Sequence, residues 1–315
     1  RGLGDVYKRQ GGAVGYEGFF VIENLKVEYS TIEGNRTVGG LFGSNNGTIE
    51  NSTVIDSNIR GVSTEGAEIG GIAGISSQGI NKCNILNCNI TSVGKDVGGL
   101  IGLGMGSSRC YVLNSNVEGY SNVGGISGHA VIGNMNNSYS NANVIATEHT
   151  AGGILGYLEN GSNNNLATSQ IYNTYYAEGT IKSKTNVGGI IGKIETELYD
   201  TAIADYYRTM YIEANLISKD KSTISLGIGS NPEENGKIKD TYYYKYSNIN
   251  EENPNRENEN YIKETNYLKE EDLKDQMTYT KKLKWGSSFD YASLKEGRYP
   301  LIKNCLLYTS DAADE

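Results

Sequence analysis

The chain has 315 residues, and its 28 Lys and Arg against 37 Asp and Glu leave a net charge of −9. That balance argues against a phosphate-tracking nucleic-acid surface, which needs clustered cations, and against adhesion to anionic lipid. Glycine supplies 41 residues against 3 prolines without a Gly-X-Y period, which excludes collagen, and no apolar run approaches the roughly 18 residues of a membrane span, so no membrane insertion is expected.

Taken in chain order, the opening "RGLGDVYKRQ" (1–10) shares nothing with the residues after it, and the closing "CLLYTSDAADE" (305–315) shares nothing with those before it. Both resemble translated sequencing adapter, so the natural segment is read as 11–304 and as part of a longer multidomain chain. Within it a glycine phrase of the form [VIA]GG[LIA]xG recurs from Val38, Ile69, Val97, Val123, Ala151 and Val187. A further unit at Gly11–Gly15 has its first position counted as 10, and a decayed one, "LGIGS", starts at Leu226. A period of roughly 30 residues marks a repeat array, here 11–230.

A second apolar segment comes after the glycine phrase: "TIENSTVIDSNI" (48–59), "GINKCNILNCNI" (79–90), "SSRCYVLNSNV" (107–117), "NMNNSYSNANV" (134–144) and "KIKDTYYYKYSNI" (237–249). Aligned without gaps, these put Val54, Ile85, Val112 and Tyr139 in one column and Asp56, Asn87, Asn114 and Asn141 in another. Asn58, Asn89, Asn116 and Asn143 form a third, and Ile59, Ile90, Val117 and Val144 a fourth. In coils stacked about 4.8 Å apart, identical amides can donate and accept along the axis. Glycine at fixed positions permits positive φ or close backbone approach. Each unit is long enough for two or three short strands. Ordering one unit alone costs about 1–2 kcal/mol per residue, whereas a handful of inward apolar side chains return only about 1.5–3 kcal/mol each, so units must stack to fold. The expected fold is all-β: a β-solenoid, in particular a right-handed parallel β-helix, with a β-sandwich or propeller-like array left open by the period.

The columns place Cys83 and Cys110 together, with Ser52 and Asn137, either as a disulfide or as two stacked reduced thiols. Cys88 aligns with Ser57, Ser115 and Ala142. Beyond the array, 231–266 reads as a degenerate unit and a polar excursion, and 267–304 as a C-terminal cap. In the cap a helix at about 268–277 would set Leu268, Leu273 and Met277 on one face. Trp285, Phe289, Tyr291, Leu294, Tyr299, Pro300 and Leu301 would come next as cap core.

Residues able to carry chemistry are sparse. There is no HExxH and no CxxC, and His129 and His149 read as ordinary turn residues, so no metal, cofactor-binding or catalytic residue is assigned. The repeat-toxin phrase GGxGxD, which binds calcium, is missing its aspartate here. Asp56 is the lone acid of its column, and Lys95 and Asp96 precede a strand with no aligned carboxylate in the neighbouring coils. A carbohydrate-active or carbohydrate-binding β-helix is therefore the alternative function rather than the first. The tyrosine run "TYYYKY" (241–246) could stack on sugar rings, though β-propensity explains it more simply.

The [VIA]GG[LIA]xG units resemble GLUG-motif repeats, and "MTYTKKLKWGSSFDYASLKEGRYPLIK" (277–303) resembles the segment that closes such arrays. Together they are similar to the N-terminal region of bacterial IgA-specific zinc metalloendopeptidases and related surface proteins. The resemblance implies an extracellular, secreted or wall-attached bacterial module. It does not carry over proteolysis, because the family's HExxH and downstream glutamate have no matching positions here. The expected function is a non-catalytic spacer or adhesion surface facing a host protein or glycan.

Overall fold

The computed structural model describes residues 9–17, 21–160, 169–196, 204–207, 209–212, 215–219, 224–230, 236–239, 241–244, 267–296 and 300–303. One coil shows how the repeat folds. From Thr37 to Gly61 five strands succeed one another: Thr37–Gly39, Phe42–Asn45, Thr48–Glu50, Thr53–Ile55 and Asn58–Gly61. That is more than the two or three expected, because two-residue corners suffice to turn the chain. Asn51 and Asp56 adopt φ of 48° and 47°, the left-handed region that Asn and Asp reach at least cost. The serine after each completes the corner: Ser52 Oγ donates to Glu50 O at 2.8 Å, and Ser57 Oγ donates to Ile55 O at 2.7 Å.

Successive coils stack in parallel. Val38 lies opposite Ile69, which lies opposite Val97, and the row continues through Val123, Ala151 and Val187 to Ile224 in an eight-stranded sheet. Among the described strands every pairing is parallel except Phe289–Asp290 with Leu301–Ile302. The fold is thus a β-solenoid, and the sandwich and propeller alternatives fall. Gln10 stands opposite Val38 in the position counted as 10; apart from Arg9 and Gln10, the adapter-like ends lie outside the described residues. The decayed unit begins at Ile224 rather than Leu226, since Ile224 pairs with Val187.

The interior is filled by rows of aliphatic side chains. Ile59, Ile90, Val117, Val144, Ile181 and Leu216 form one such row, all buried, and each contributes about 1.5–3 kcal/mol by leaving water. The second glycine of each phrase is required by close approach rather than by positive φ. A Cβ on Gly40, Gly71, Gly99 or Gly125 would lie 2.1–2.2 Å from the carbonyl oxygen of the corresponding glycine one coil on.

The amide columns stack as expected. Asn89 Nδ2 donates to Asn58 Oδ1 at 3.0 Å, Asn116 to Asn89 at 2.8 Å and Asn143 to Asn116 at 3.0 Å, along an exposed edge. Asn87 Nδ2 donates to Asp56 Oδ1 at 3.1 Å. The ungapped alignment fails in one coil. Val112 pairs with Ser140 and Tyr111 with Tyr139, while Asn116 still pairs with Asn143. The strand Tyr139–Ser140 is one residue shorter than Tyr111–Leu113, so Tyr139 leaves the inward column and Ser138, not Asn137, succeeds Cys110.

Cys83, Cys88 and Cys110 are free, buried thiols. They take the place of corner serines. Cys110 Sγ accepts from Cys83 N–H at 3.3 Å and donates to Ser108 O at 3.2 Å, while Cys110 N–H donates to Ser138 Oγ at 3.2 Å. Burial pushes the Cys110 thiol up to about 12 and the Cys88 thiol to about 11, so neither is a nucleophile.

The C-terminal segment begins as a continuation of the stack, with Tyr267–Leu268 paired to Tyr243 and Tyr244. The helix is shorter than expected, Glu270–Lys274. Lys269 N–H donates to Asp272 Oδ2 and starts it after Leu268; Met277 N–H donates to Asp275 Oδ1 in a turn just beyond its end. Leu268 therefore sits on a strand, and Met277 is 60% exposed rather than packed. The rest of the segment folds back along the side of the solenoid, where Tyr111, Tyr139, Tyr175 and Met210 form an outward row. Leu273, Tyr279, Leu283, Trp285, Phe289 and Leu294 cover that row. Tyr175 stacks on Trp285 at 5.4 Å, and its hydroxyl donates to Pro300 O at 2.7 Å. Tyr299 lies outside the described residues.

Candidate functional site

Two outward rows run side by side where the glycine phrase turns. The residue before each phrase forms the first: Thr37, Glu68, Asp96, Asn122, Thr150 and Asn186, set by the pairing of Val38, Ile69, Val97, Val123, Ala151 and Val187. Glu68 and Asp96 are consequently aligned carboxylates on adjacent coils, which corrects the expectation that Asp96 has none. The second row lies on the next strand: Ser44, Ile75, Leu103, His129, Tyr157 and Lys193.

These rows bring together residues far apart in sequence. His129 is not an ordinary turn residue: it lies on the strand Ser127–Asn136, its Nε2 3.0 Å from Glu159 Oε2 and its Nδ1 3.5 Å from Asp96 Oδ1. The three side chains come from three successive coils. Asn122 Nδ2 donates to Asp96 Oδ1 at 2.7 Å, holding that carboxylate toward the ring. Tyr157 packs edge-on against the imidazole at 4.9 Å, and its hydroxyl donates to Glu195 Oε2 at 3.0 Å, which Lys193 also reaches at 2.8 Å. Burial works against the charged imidazole. The hydrogen bonds and charges of Asp96 and Glu159 outweigh it and hold the His129 pKa above 6.5.

Chemically, this is a clamp whose groups are occupied. A general base needs a free ring nitrogen, and a nucleophile–His–Asp relay needs a hydroxyl or thiol at Nε2. Both nitrogens of His129 face carboxylates instead, Nε2 at hydrogen-bond distance from Glu159 and Nδ1 at ion-pair distance from Asp96. Among the described residues no group of three His, Cys, Asp or Glu side chains is arranged to hold a metal ion. The Glu68 carboxyl tends toward an acid's role: burial raises its pKa, the charge of Asp96 adds to that, and the Thr37 hydroxyl, donating to it at 3.0 Å, opposes it.

The remaining candidates lie apart from this cluster. His149 is exposed, with Tyr120 edge-on at 5.7 Å. Asp56 sits at a left-handed corner, accepting from Asn87. Lys95 pairs in register with Ser121. In the tyrosine run, Tyr243 is buried in the solenoid core, and Lys282 lies 5.0 Å from the ring of Tyr242; 245–246 lie outside the described residues.

No family model and no curated protein matches the chain, so the GLUG-repeat likeness of the glycine phrases stays a resemblance. A solved structure described as a "putative immunoglobulin A1 protease from Bacteroides ovatus" is similar with 17% identity and a TM-score of 0.49, over 91% of this chain and 76% of that one. A likeness of that size carries no argument for fold or chemistry, and both stand on the pairing and contacts above.

Proposed function

We propose that the chain is a non-catalytic extracellular repeat module of a bacterial surface protein, a rigid spacer whose long side faces a host protein or glycan. The observation that carries this proposal is the occupied state of the His129 cluster. Its two carboxylates and both imidazole nitrogens are spent joining three coils, which suits a stacked scaffold and leaves the imidazole no free nitrogen to act as a base. The exposed ladder of Asn58, Asn89, Asn116 and Asn143 adds a repeating hydrogen-bonding edge of the kind a glycan can line up against. The extracellular setting and a parent resembling an IgA-peptidase-like zinc metalloprotease rest on the glycine phrases and the closing segment alone.

The test is binding without turnover. Purified chain is titrated against immunoglobulin A, mucin and a panel of host glycans, and the mixtures are checked for cleavage. Saturable binding with intact ligand supports the module; no binding at high micromolar concentration reduces it to a spacer, and cleavage overturns it. A carbohydrate-active reading has one observation in its favour, the stacked pair Glu68 and Asp96 with the Glu68 carboxyl held protonated more readily than usual. It requires polysaccharide turnover that Glu68→Gln and Asp96→Asn each abolish.

A further inference from the structure

A cleft of about 180 Å³ lies between the side of the solenoid and the C-terminal segment, lined by Lys82, Arg109, Ser287, Ser288 and Lys303. Among the described residues its walls hold three cations, two hydroxyls and no carboxylate, in a chain whose net charge is −9. Lys82 and Arg109 are consecutive rungs: Lys82 N–H donates to Ser108 O, and Arg109 N–H donates to Asn136 O one coil on. They stand about 4.8 Å apart along the stack, and like charges so placed repel. Neither they nor Lys303 has an ion-pair partner among the described residues. Glu50, one coil below Lys82 in the neighbouring row, makes none.

The backbone at these two rungs is unusual for a long cation. Lys82 and Arg109 occupy a left-handed corner column, at φ 53° and 55°, whose other described members are Asn24, Asn51, Asn137 and Asn173. Asparagine is the residue suited to that conformation, and a lysine or arginine is not. Among the described residues the column departs from asparagine at the two rungs that face the cleft. The third cation comes from the other wall, where Lys303 N–H donates to Ser288 O at 2.7 Å and fixes the end of the segment beside both serines. Converging ammonium and guanidinium groups with flanking hydroxyls are the donor set of an oxyanion site. The volume, equal to only a few waters, suits a compact group.

We propose that this cleft binds a compact oxyanion, either free or as the sulfate or carboxylate substituent of an acidic sugar. The site does not depend on whether the module is catalytic. The test uses the full chain and the fluorescence of Trp285, the sole tryptophan, two residues from Ser287. Sodium sulfate and N-acetylglucosamine 6-sulfate are titrated at ionic strength held constant with sodium chloride, with calorimetry in parallel. The variant Lys82→Asn/Arg109→Asn installs the residue that the column's four other described rungs carry and so keeps the fold. Lys303→Gln probes the opposite wall.

Saturable binding is expected, weakened at least tenfold in the double variant and severalfold in Lys303→Gln. A sugar sulfate binding tenfold tighter than sulfate identifies the glycan substituent, and equal affinities identify the free anion. No saturable binding of either probe, or equal binding by wild type and double variant, overturns the site.

Discussion

Replacing Gly99 by alanine tests the stacking directly. The added Cβ would fall 2.1 Å from Gly125 O and 2.9 Å from both methyls of Val112, where real Cβ contacts under 3.0 Å essentially never occur. The carbonyl belongs to the next coil and cannot swing away like a side chain, so the two coils must part by more than about 1 Å. Overpacking of this kind costs about 1–3 kcal/mol. Parting also stretches the rungs Gly99 N–Gly124 O (3.1 Å), Leu100 N–Ile126 O (2.8 Å) and Ile101 N–Ile126 O (3.1 Å), each worth about 1 kcal/mol. The expected loss is about 3–5 kcal/mol. The control is Gly286→Ala, whose Cβ meets nothing within 4 Å, so its effect should stay within about 0.5 kcal/mol. Urea midpoints give the stability, and amide exchange over 97–128 gives its location, since repeat arrays can open locally. If Gly99→Ala costs under about 1 kcal/mol, or no more than Gly286→Ala, the close-approach account is wrong.

Two further predictions concern the corners and the clamp. Asp96 and Glu159 raise the His129 pKa above 6.5 against the pull of burial, so the clamp stabilises fully below about 6.5 and that contribution is lost as pH rises through the folded value. The Tm of the wild type should fall across that window while His129→Gln stays flat there, and parallel profiles would refute the clamp. Cys110→Ser keeps the corner's acceptor and donor, as Ser52 and Ser138 show, and should cost under about 1 kcal/mol, whereas Cys110→Ala leaves the Cys83 N–H buried without its acceptor and should cost about 1–3 kcal/mol. A serine variant less stable than the alanine variant in urea would show that the thiol is there for packing alone.

The fold was legible because its determinants are columnar. The valines and isoleucines before the glycine pairs repeat at one position, and the asparagines at corners repeat at another, so period alone aligns them. Where the columns depend on length, legibility stopped. The short strand Tyr139–Ser140 shifted one register, and the matching segments Gln170–Ser183 and Met210–Ser218 went unread because longer insertions precede them. The His129 clamp was illegible for a different reason. Its members occupy three coils on a diagonal, and reach between rows depends on side-chain direction that an alignment does not encode. Glu68 was the exception: it directly precedes Ile69 as Asp96 precedes Val97, a signal present in the columns and missed. The position of the closing segment along the side could have been suspected from Tyr111, Tyr139 and Tyr175, outward aromatics too large for solvent to favour.

That lateral segment changes how the molecule would answer a pulling force. A bare solenoid is a stack of similar rungs, and tension between its ends peels it coil by coil from whichever end is weaker. Here the stretch from Tyr111 to Met210 is bound by one continuous aromatic seam that crosses several rungs at once. Toward the N-terminal side the seam reaches Leu86, and among the described residues none before Leu86 packs against it. Extension therefore begins at the N-terminal side, and the splinted half yields only after the seam around Trp285 tears, giving the rod a compliant end and a stiff one.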